Sequence, residues 1–507
     1  MSPASKSDEN TGAHILAAGL RALRPGYLGV VPGRPITQAG RLLVETGDAR
    51  WITHEAVALQ MALGAAADGS LAVAMMKQVG LNAAMDVASS SAVHRSGGAV
   101  LLIVGDDPGA FGSDVEGDAR VFAGALELPS IEPAGVDDIP NALRIAARLS
   151  AENRLPVIFR VTTQMMAAPG KSAVQNGAPF GKAPAVAPLE VWTTDPQGQR
   201  IRLHETLKRI VKENACDVIE GKKDLRIVAS GHPAGLARAL GHEALFVRRA
   251  QPLPDAEIAA FVKRSSAPIL VLEDGQPLLE RAVIASATGP VLGRLSGHVP
   301  SYGPLDVGTI AGAALKGEIA KLPERKVEAF SADDIQGLGT LYTDLKELDL
   351  LPVVCDAGLC GVAPYLMPEI APLSYGLGSA IGTAAGVAVR RGKAVAIIGD
   401  MGFFHAGIVG LLQVVREQAP VLVVVHDNGV AAYTGGQPHV GSSARQGERQ
   451  VDIAGVATGV GIQQVQRITS AQAKRGEMKS MIAAWKANPI PAVIVLDDRV
   501  KSEHEAR

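Results

Sequence analysis

Short apolar runs of strand length recur along the chain and alternate with helix-length stretches. SLAVAMM (70–76) and GAVLLIVGDDPG (98–109) are apolar at their centres, as parallel strands covered on both faces require, and HEAVALQMALGAAADG (54–69) reads as a helix. The alternation resumes with a helix at LHETLKRIVKENA (203–215) and strands at LRIVASG (225–231) and APILVLEDG (267–275). A third series holds LPVVCDAG (351–358), the Gly-rich SYGLGSAIGTAAGVAVRRG (374–392), and a closing strand, PAVIVLDD (491–498). Within it, KAVAIIGD and VLVVVHDN read as buried strands flanking a helix, MGFFHAGIVGLLQVVREQ. Residues 167–188 are rich in Ala, Pro, Gly and Lys without a period, which predicts a linker, and 286–336 are expected to be mainly loop. The pattern predicts an α/β protein of three open parallel-sheet domains, spanning 1–166, 189–336 and 337–507, with no solenoid repeat.

Composition narrows the class. At 507 residues the chain exceeds one ordinary core, and it is 47% hydrophobic but only 4% aromatic. A formal net charge of −2 offers no whole-chain field for nucleic acid or a membrane surface. The polar start, MSPASKSDENTGAH, lacks a basic segment followed by an apolar core, so no signal peptide is expected, and its first residues are expected to be disordered. No run reaches transmembrane length. Three cysteines, Cys216, Cys355 and Cys360, form no disulfide framework and fit a reducing cytoplasm.

The stretch from Ile397 to Gly441 carries the chemistry. Asp400 follows one apolar run, and Asp427 and Asn428 follow the next. In a right-handed βαβ unit both strand ends lie on one sheet edge, where open α/β sheets bind ligands. A carboxylate from Asp400, an amide oxygen from Asn428 and the carbonyl of Val430 suit a hard cation such as Mg²⁺, which completes its shell with phosphate oxygens and water. The helix after Gly402 offers N–H groups to an anion, and Gly399 and Gly402 allow close backbone approach around Met401. The constellation reads as a Mg²⁺–diphosphate site, although either polar residue alone also fits a turn or helix cap.

These residues resemble those of thiamine-diphosphate enzymes. More narrowly, GDMGFFHAGI (399–408), DNGVAAYTGGQPHVG (427–441), MKQVGLNAAMD (76–86), WITHEAVAL (51–59) and DDPGAFGSDVEGDAR (106–120) are similar to the alpha subunits of the indolepyruvate:ferredoxin oxidoreductase family, among the 2-oxoacid:acceptor oxidoreductases. The resemblance covers most of the chain. It implies a pyrimidine-binding-like domain, a transketolase-C-like domain and a diphosphate-binding domain, in that order. It also implies thiamine diphosphate with Mg²⁺, a 2-oxo acid of the aryl-pyruvate class as substrate, and a homodimer. Thiamine chemistry needs a carboxylic acid against the aminopyrimidine ring. The family's W-x-x-x-E segment maps onto Trp51 and Glu55, making Glu55 the catalytic candidate, although a Glu heading a helix also complements its dipole.

Other positions follow from the same resemblance. His405, in F-F-H-x-G, is a candidate proton donor or substrate contact, or else a satisfied helix histidine. Gln437 and His439 in TGGQPH are candidate substrate residues, or parts of a Gly- and Pro-rich turn. Lys77, after a strand, faces a substrate carboxylate or solvent, and Thr37 in PGRPITQ matches only the start of the family's substrate turn. GLGSAIG (376–382) reads as close helix packing beside the cofactor, with Gly378 among the cofactor-binding residues. His426 reads as a strand end rather than a ligand.

The family's repeated C-x-x-C-x-x-C-x-x-x-C-P module has no counterpart here, so no iron–sulfur cluster is expected in this chain. Electrons then pass to a small beta or other electron-accepting subunit. The alternatives are a non-oxidative decarboxylase or carboligase, and a non-catalytic cofactor-binding scaffold.

Overall fold

A computed structural model describes residues 10–113, 115–171, 180, 196–316, 338–351, 353–358, 360, 373–443 and 448–499. The opening nine residues, and most of the expected linker at 167–188, lie outside the described residues. The chain divides into two compact units, Met1–Arg325 and Lys326–Arg507.

The first unit holds twelve described strands: β1 (Tyr27–Val30), β2 (Arg50–Trp51), β3 (Ala72–Lys77), β4 (Val100–Asp106), β5 (Ser130–Ile131), β6 (Val157–Thr162), β7 (Cys216–Ile219), β8 (Lys222–Ser230), β9 (His242–Val247), β10 (Arg249–Gln251), β11 (Ile269–Leu272) and β12 (Val291–Leu292). They form a seven-stranded sheet in the order β10-β5-β6-β4-β3-β1-β2 and a five-stranded sheet in the order β12-β11-β8-β9-β7. Pairing is parallel except at two edges, where β10 runs antiparallel to β5 and β7 to β9. β10 follows β9 in sequence yet joins the other sheet, so one excursion of the chain ties both together.

A buried ionic cluster reinforces that join. Arg160 in β6 donates to Asp106 at 2.5 Å, to Glu132 at 2.7 Å and to the Asp274 carbonyl at 3.1 Å. Arg120 donates to Asp118 and to Glu273, each at 2.7 Å. These groups are almost wholly buried. Burial pushes the Asp106 carboxyl up to about 6 even though the Arg160 charge opposes it.

The second unit carries β13 (Val354–Cys355), β14 (Ala394–Gly399), β15 (Val421–Asp427), β16 (Gln464–Thr469) and β17 (Ala492–Asp497), in the order β13-β14-β15-β17-β16 and parallel throughout. The alternation of a strand sends Val395, Ile397, Leu422 and Val424 into one core, and Ala396, Ile398, Val423 and Val425 into the core on the other face. The α/β class and parallel sheets agree with the sequence pattern. The loop expected at 286–336 is corrected in part: β12 and a helix at Val307–Lys316 form there, and 317–336 lie outside the described residues. Among the described residues, no helix is long and apolar enough to cross a membrane.

Candidate cofactor site

Register places the acidic strand ends side by side. Gly399 of β14 is level with His426 of β15, so the chain leaves the two strands at Asp400 and at Asn428 on the same sheet edge. Asp400 is 2% exposed. Its Oδ1 accepts from the Met401 N–H at 2.7 Å, and its Oδ2 accepts from the Gly429 N–H, also at 2.7 Å. The Asn428 side-chain oxygen accepts from the Val430 N–H at 3.1 Å, and the Val430 carbonyl accepts from Ala432 at 2.9 Å. Asp400 Oδ1, the Asn428 oxygen and the Val430 carbonyl each keep a lone pair beyond those bonds. This all-oxygen donor set fits Mg²⁺.

His439 closes over the same carboxylate. Its Nδ1 accepts from the Gly441 N–H at 3.1 Å, which leaves the ring proton on Nε2, and Nε2 lies 3.2 Å from Asp400 Oδ2. Gln437 is committed within its own loop: its oxygen accepts from the Thr434 hydroxyl at 2.7 Å, and its amide donates to the Thr434 carbonyl at 3.0 Å. Asp427 is paired with an arginine. Arg499 grips it at 3.0 and 2.9 Å. His426 sits in β15 with Nε2 3.2 Å from Asp498 Oδ2.

The helix after β14 is continuous from Asp400 to Glu417, but Phe403–Gly407 winds as a π-helix. Such wide turns often occur at functional sites. His405 lies in it, half-buried. Gly378 approaches from the other side with φ +85°, where a Cβ would stand 2.6 Å from the Ala406 Cβ and 2.9 Å from its backbone nitrogen. At Gly399 a Cβ would meet nothing within 4 Å, so the backbone there is open. Gly410 packs against Gly382 and Ile381, the close helix approach expected from GLGSAIG.

Asp356, just after β13, was not singled out from the sequence. It is fully buried; both its oxygens accept from the Gly378 N–H, and Ser379 and Ala380 also donate to it. A Cβ on Gly402 would collide with it. Asp356 therefore joins the Gly378 turn to the first turn of the Asp400 helix. Burial pushes its carboxyl up to about 7, while those N–H groups and the nearby His405 oppose the rise.

In the first unit, the candidates gather on the carboxyl edge of the seven-stranded sheet. Thr37, in the helix after β1, accepts from the Gly33 N–H at 2.9 Å. Lys77 ends β3 and donates to the Gly112 carbonyl at 3.3 Å. Glu55 heads the helix Glu55–Ala65 after β2, capped by His54, whose Nδ1 accepts from Ala56 at 3.1 Å. Only 7% of Glu55 is exposed. Asp107, after β4, was also missed: it accepts from the Gly112 N–H and the Ser113 and Thr163 hydroxyls, and so anchors the loop that Lys77 touches.

Residues 366–496 match the family described as thiamine pyrophosphate enzyme, C-terminal TPP binding domain. Indolepyruvate oxidoreductase subunit IorA of Methanothermobacter marburgensis is 28% identical over 461 residues, covering 82% of this chain and 74% of the relative. The IorA subunit of Archaeoglobus fulgidus is 29% identical over 468 residues, covering 82% and 72%. A solved 2-oxoglutarate:ferredoxin oxidoreductase from Magnetococcus marinus aligns at 14% identity and a TM-score of 0.43, over 56% of this chain and 61% of that one. In sequence this chain resembles the IorA subunits of indolepyruvate oxidoreductase, the family its motifs imply, and its residues 366–496 match a thiamine pyrophosphate binding domain.

Proposed function

We propose that this chain binds thiamine diphosphate with Mg²⁺ and decarboxylates a 2-oxo acid of the aryl-pyruvate class, passing the electrons to a partner subunit. The observation that carries the reading is the oxygen set of Asp400, Asn428 and Val430 at adjacent parallel strand ends, beside the open backbone at Gly399. The named activity of the relatives supports the substrate class.

When bound, the cofactor supplies a nucleophilic carbon and a sink for the electron pair left by loss of CO₂. Asp400, Asn428 and the Val430 carbonyl hold the metal, and Gly378, Gly399, Met401 and Gly402 line the diphosphate. Glu55 holds a proton at the aminopyrimidine nitrogen. His405 moves a proton at the substrate, and Thr37, Lys77 and His439 contact the 2-oxo acid. Gln437 shapes the loop that carries His439.

Within these 507 residues the three cysteines fall short of the four thiolates that a cubane cluster takes. All three are buried, and burial pushes Cys216 and Cys355 up to about 12. We take the electron acceptor to lie on another subunit; the same residues equally suit a non-oxidative decarboxylase. We take the assembly to be a cytoplasmic homodimer with such a partner.

Titration calorimetry with thiamine diphosphate, with and without Mg²⁺, tests the cofactor. Release of labelled CO₂ from carboxyl-labelled indolepyruvate tests the reaction, and adding a viologen dye separates the outcomes. Turnover that requires the dye and a partner supports oxidation, whereas aldehyde release without it supports the second reading. No metal-dependent cofactor binding rejects both.

A further inference from the structure

We propose that Gly80 positions the Glu55 carboxyl by leaving vacant the volume its own side chain would fill. The proposal rests on the assignment of Glu55 made above and adds the residue that sets where its acid group stands.

Gly80 is the third residue of the helix Gln78–His94, which follows β3, and it is buried. The helix Glu55–Ala65 runs beside it, and the Glu55 side chain lies across the Gly80 backbone. A Cβ at position 80 would stand 2.6 Å from Glu55 Cγ and 2.7 Å from its Cδ, and would overlap Oε1. Carbon atoms in contact rest about 3.5–4.0 Å apart. No side chain larger than hydrogen fits at position 80 while the Glu55 carboxyl stays where it is.

The obstruction is the far end of one flexible side chain, not backbone. This decides what Gly80→Ala would do. The two helices need not part, because Glu55 can swing aside by about 1 Å, and an active-site shift of that size costs on the order of 10²-fold in rate. The substitution is therefore mild for the fold and severe for the carboxyl's position. Helix propensity itself favours Ala over Gly, which further separates the two effects. Gly64 offers a control: it lies in the Glu55 helix, exposed, and a Cβ there would meet nothing within 4 Å.

The test compares Gly80→Ala, Gly64→Ala and Glu55→Gln in the full chain loaded with thiamine diphosphate and Mg²⁺, following CO₂ release from labelled indolepyruvate. Gly80→Ala is expected to lower kcat by about 10²-fold while KM stays within roughly threefold, and Gly64→Ala to match the wild type. A second measurement uses the cofactor-free protein: the Tm change caused by Gly80→Ala is measured with Glu55 present and again in Glu55→Ala. If the side chains share one space, the change becomes more favourable once Glu55 is truncated. Wild-type kcat in Gly80→Ala, or an identical Tm change in both backgrounds, overturns the proposal. Loss of turnover in Glu55→Gln alone would leave the proposed function standing and remove only the role of Gly80. Full turnover in Glu55→Gln would remove the assignment of Glu55 and the proposal together.

Discussion

Asp356 holds the N–H of Gly378 with both carboxylate oxygens, at 2.8 and 3.0 Å, and so ties the glycine turn to the sheet edge where the Asp400 helix begins. Burial keeps that carboxyl up to about 7. Its folded-state pKa therefore lies above the unfolded value, so the native state retains a proton that the unfolded chain releases. The associated stability is complete below about pH 4, the range of a free carboxyl, and is lost as pH rises through about 7. Asp356→Asn presents one acceptor oxygen where the carboxyl presents two, so the variant starts about 1–3 kcal/mol less stable at low pH. Its side chain does not titrate. Urea melts at several pH values should show the gap between wild type and variant narrowing from pH 4 to pH 8. A constant gap would place the Asp356 pKa in the ordinary range.

Asp400 supplies the charged oxygen of the proposed cation site, and Asn428 a neutral one. Asp400→Asn keeps the volume and an acceptor for the Gly429 N–H but removes the charge. Thiamine diphosphate affinity measured in Mg²⁺ should fall by at least tenfold, while affinity measured in chelator changes little. Second-sphere substitutions at metal sites already cost about 10–100-fold, which sets the lower bound for a direct ligand. Equal affinities for wild type and variant in Mg²⁺ would remove Asp400 from the metal site.

How far the sequence reaches depends on whether a feature is local. β14 and β15 were legible because each is an unbroken apolar run, and the pair Asp400 and Asn428 was legible because a βαβ unit brings such strand ends together. β16, QVQRIT, was not: it is an edge strand exposed along much of its length and has no apolar run to announce it. The Val307–Lys316 helix hides in a segment whose glycines read as loop. Asp356 and Asp107 each follow a strand, a weak signal that many turns share, and their roles appear only from the N–H groups that converge on them. The need for glycine at position 80 is a contact between two helices. The pairing of Arg120 with Glu273 spans 153 positions, which no local period encodes.

Gly378 and Gly382 occupy one Gly-rich stretch but should answer alanine with opposite signs. Gly378 has φ +85°, and its missing Cβ leaves room for Ala406. Gly382 lies within the helix Ala380–Arg391, exposed, with nothing near its missing Cβ. Gly382→Ala should gain about 0.5–1 kcal/mol from helix propensity. Gly378→Ala should lose more than about 1 kcal/mol and also weaken cofactor binding, because strain and overlap act together. Denaturant midpoints of the two variants give the signs directly. Stabilisation by both would mean that the Gly378 turn relaxes without cost.

Arg160 faces Asp106 and Glu132 in a region almost without solvent. Arg160→Met keeps most of the volume and strands both acids. Removing one partner of a buried pair costs about 3–5 kcal/mol, because the remaining charge is uncompensated. The cost should depend on pH in a defined direction. Asp106 already sits at about 6, above its unfolded value, through burial, with Arg160 opposing the rise. Without the arginine its folded pKa climbs further, so the native variant must keep a proton that the unfolded chain gives up more readily as pH rises. At pH 5 much of that proton is already present in the folded wild type; at pH 8 it is not. The difference in unfolding free energy between wild type and Arg160→Met should therefore be larger at pH 8 than at pH 5. Since Arg160 also reaches the Asp274 carbonyl beside the second sheet, loss of cooperativity in the melt would report that the two sheets of the first unit separate.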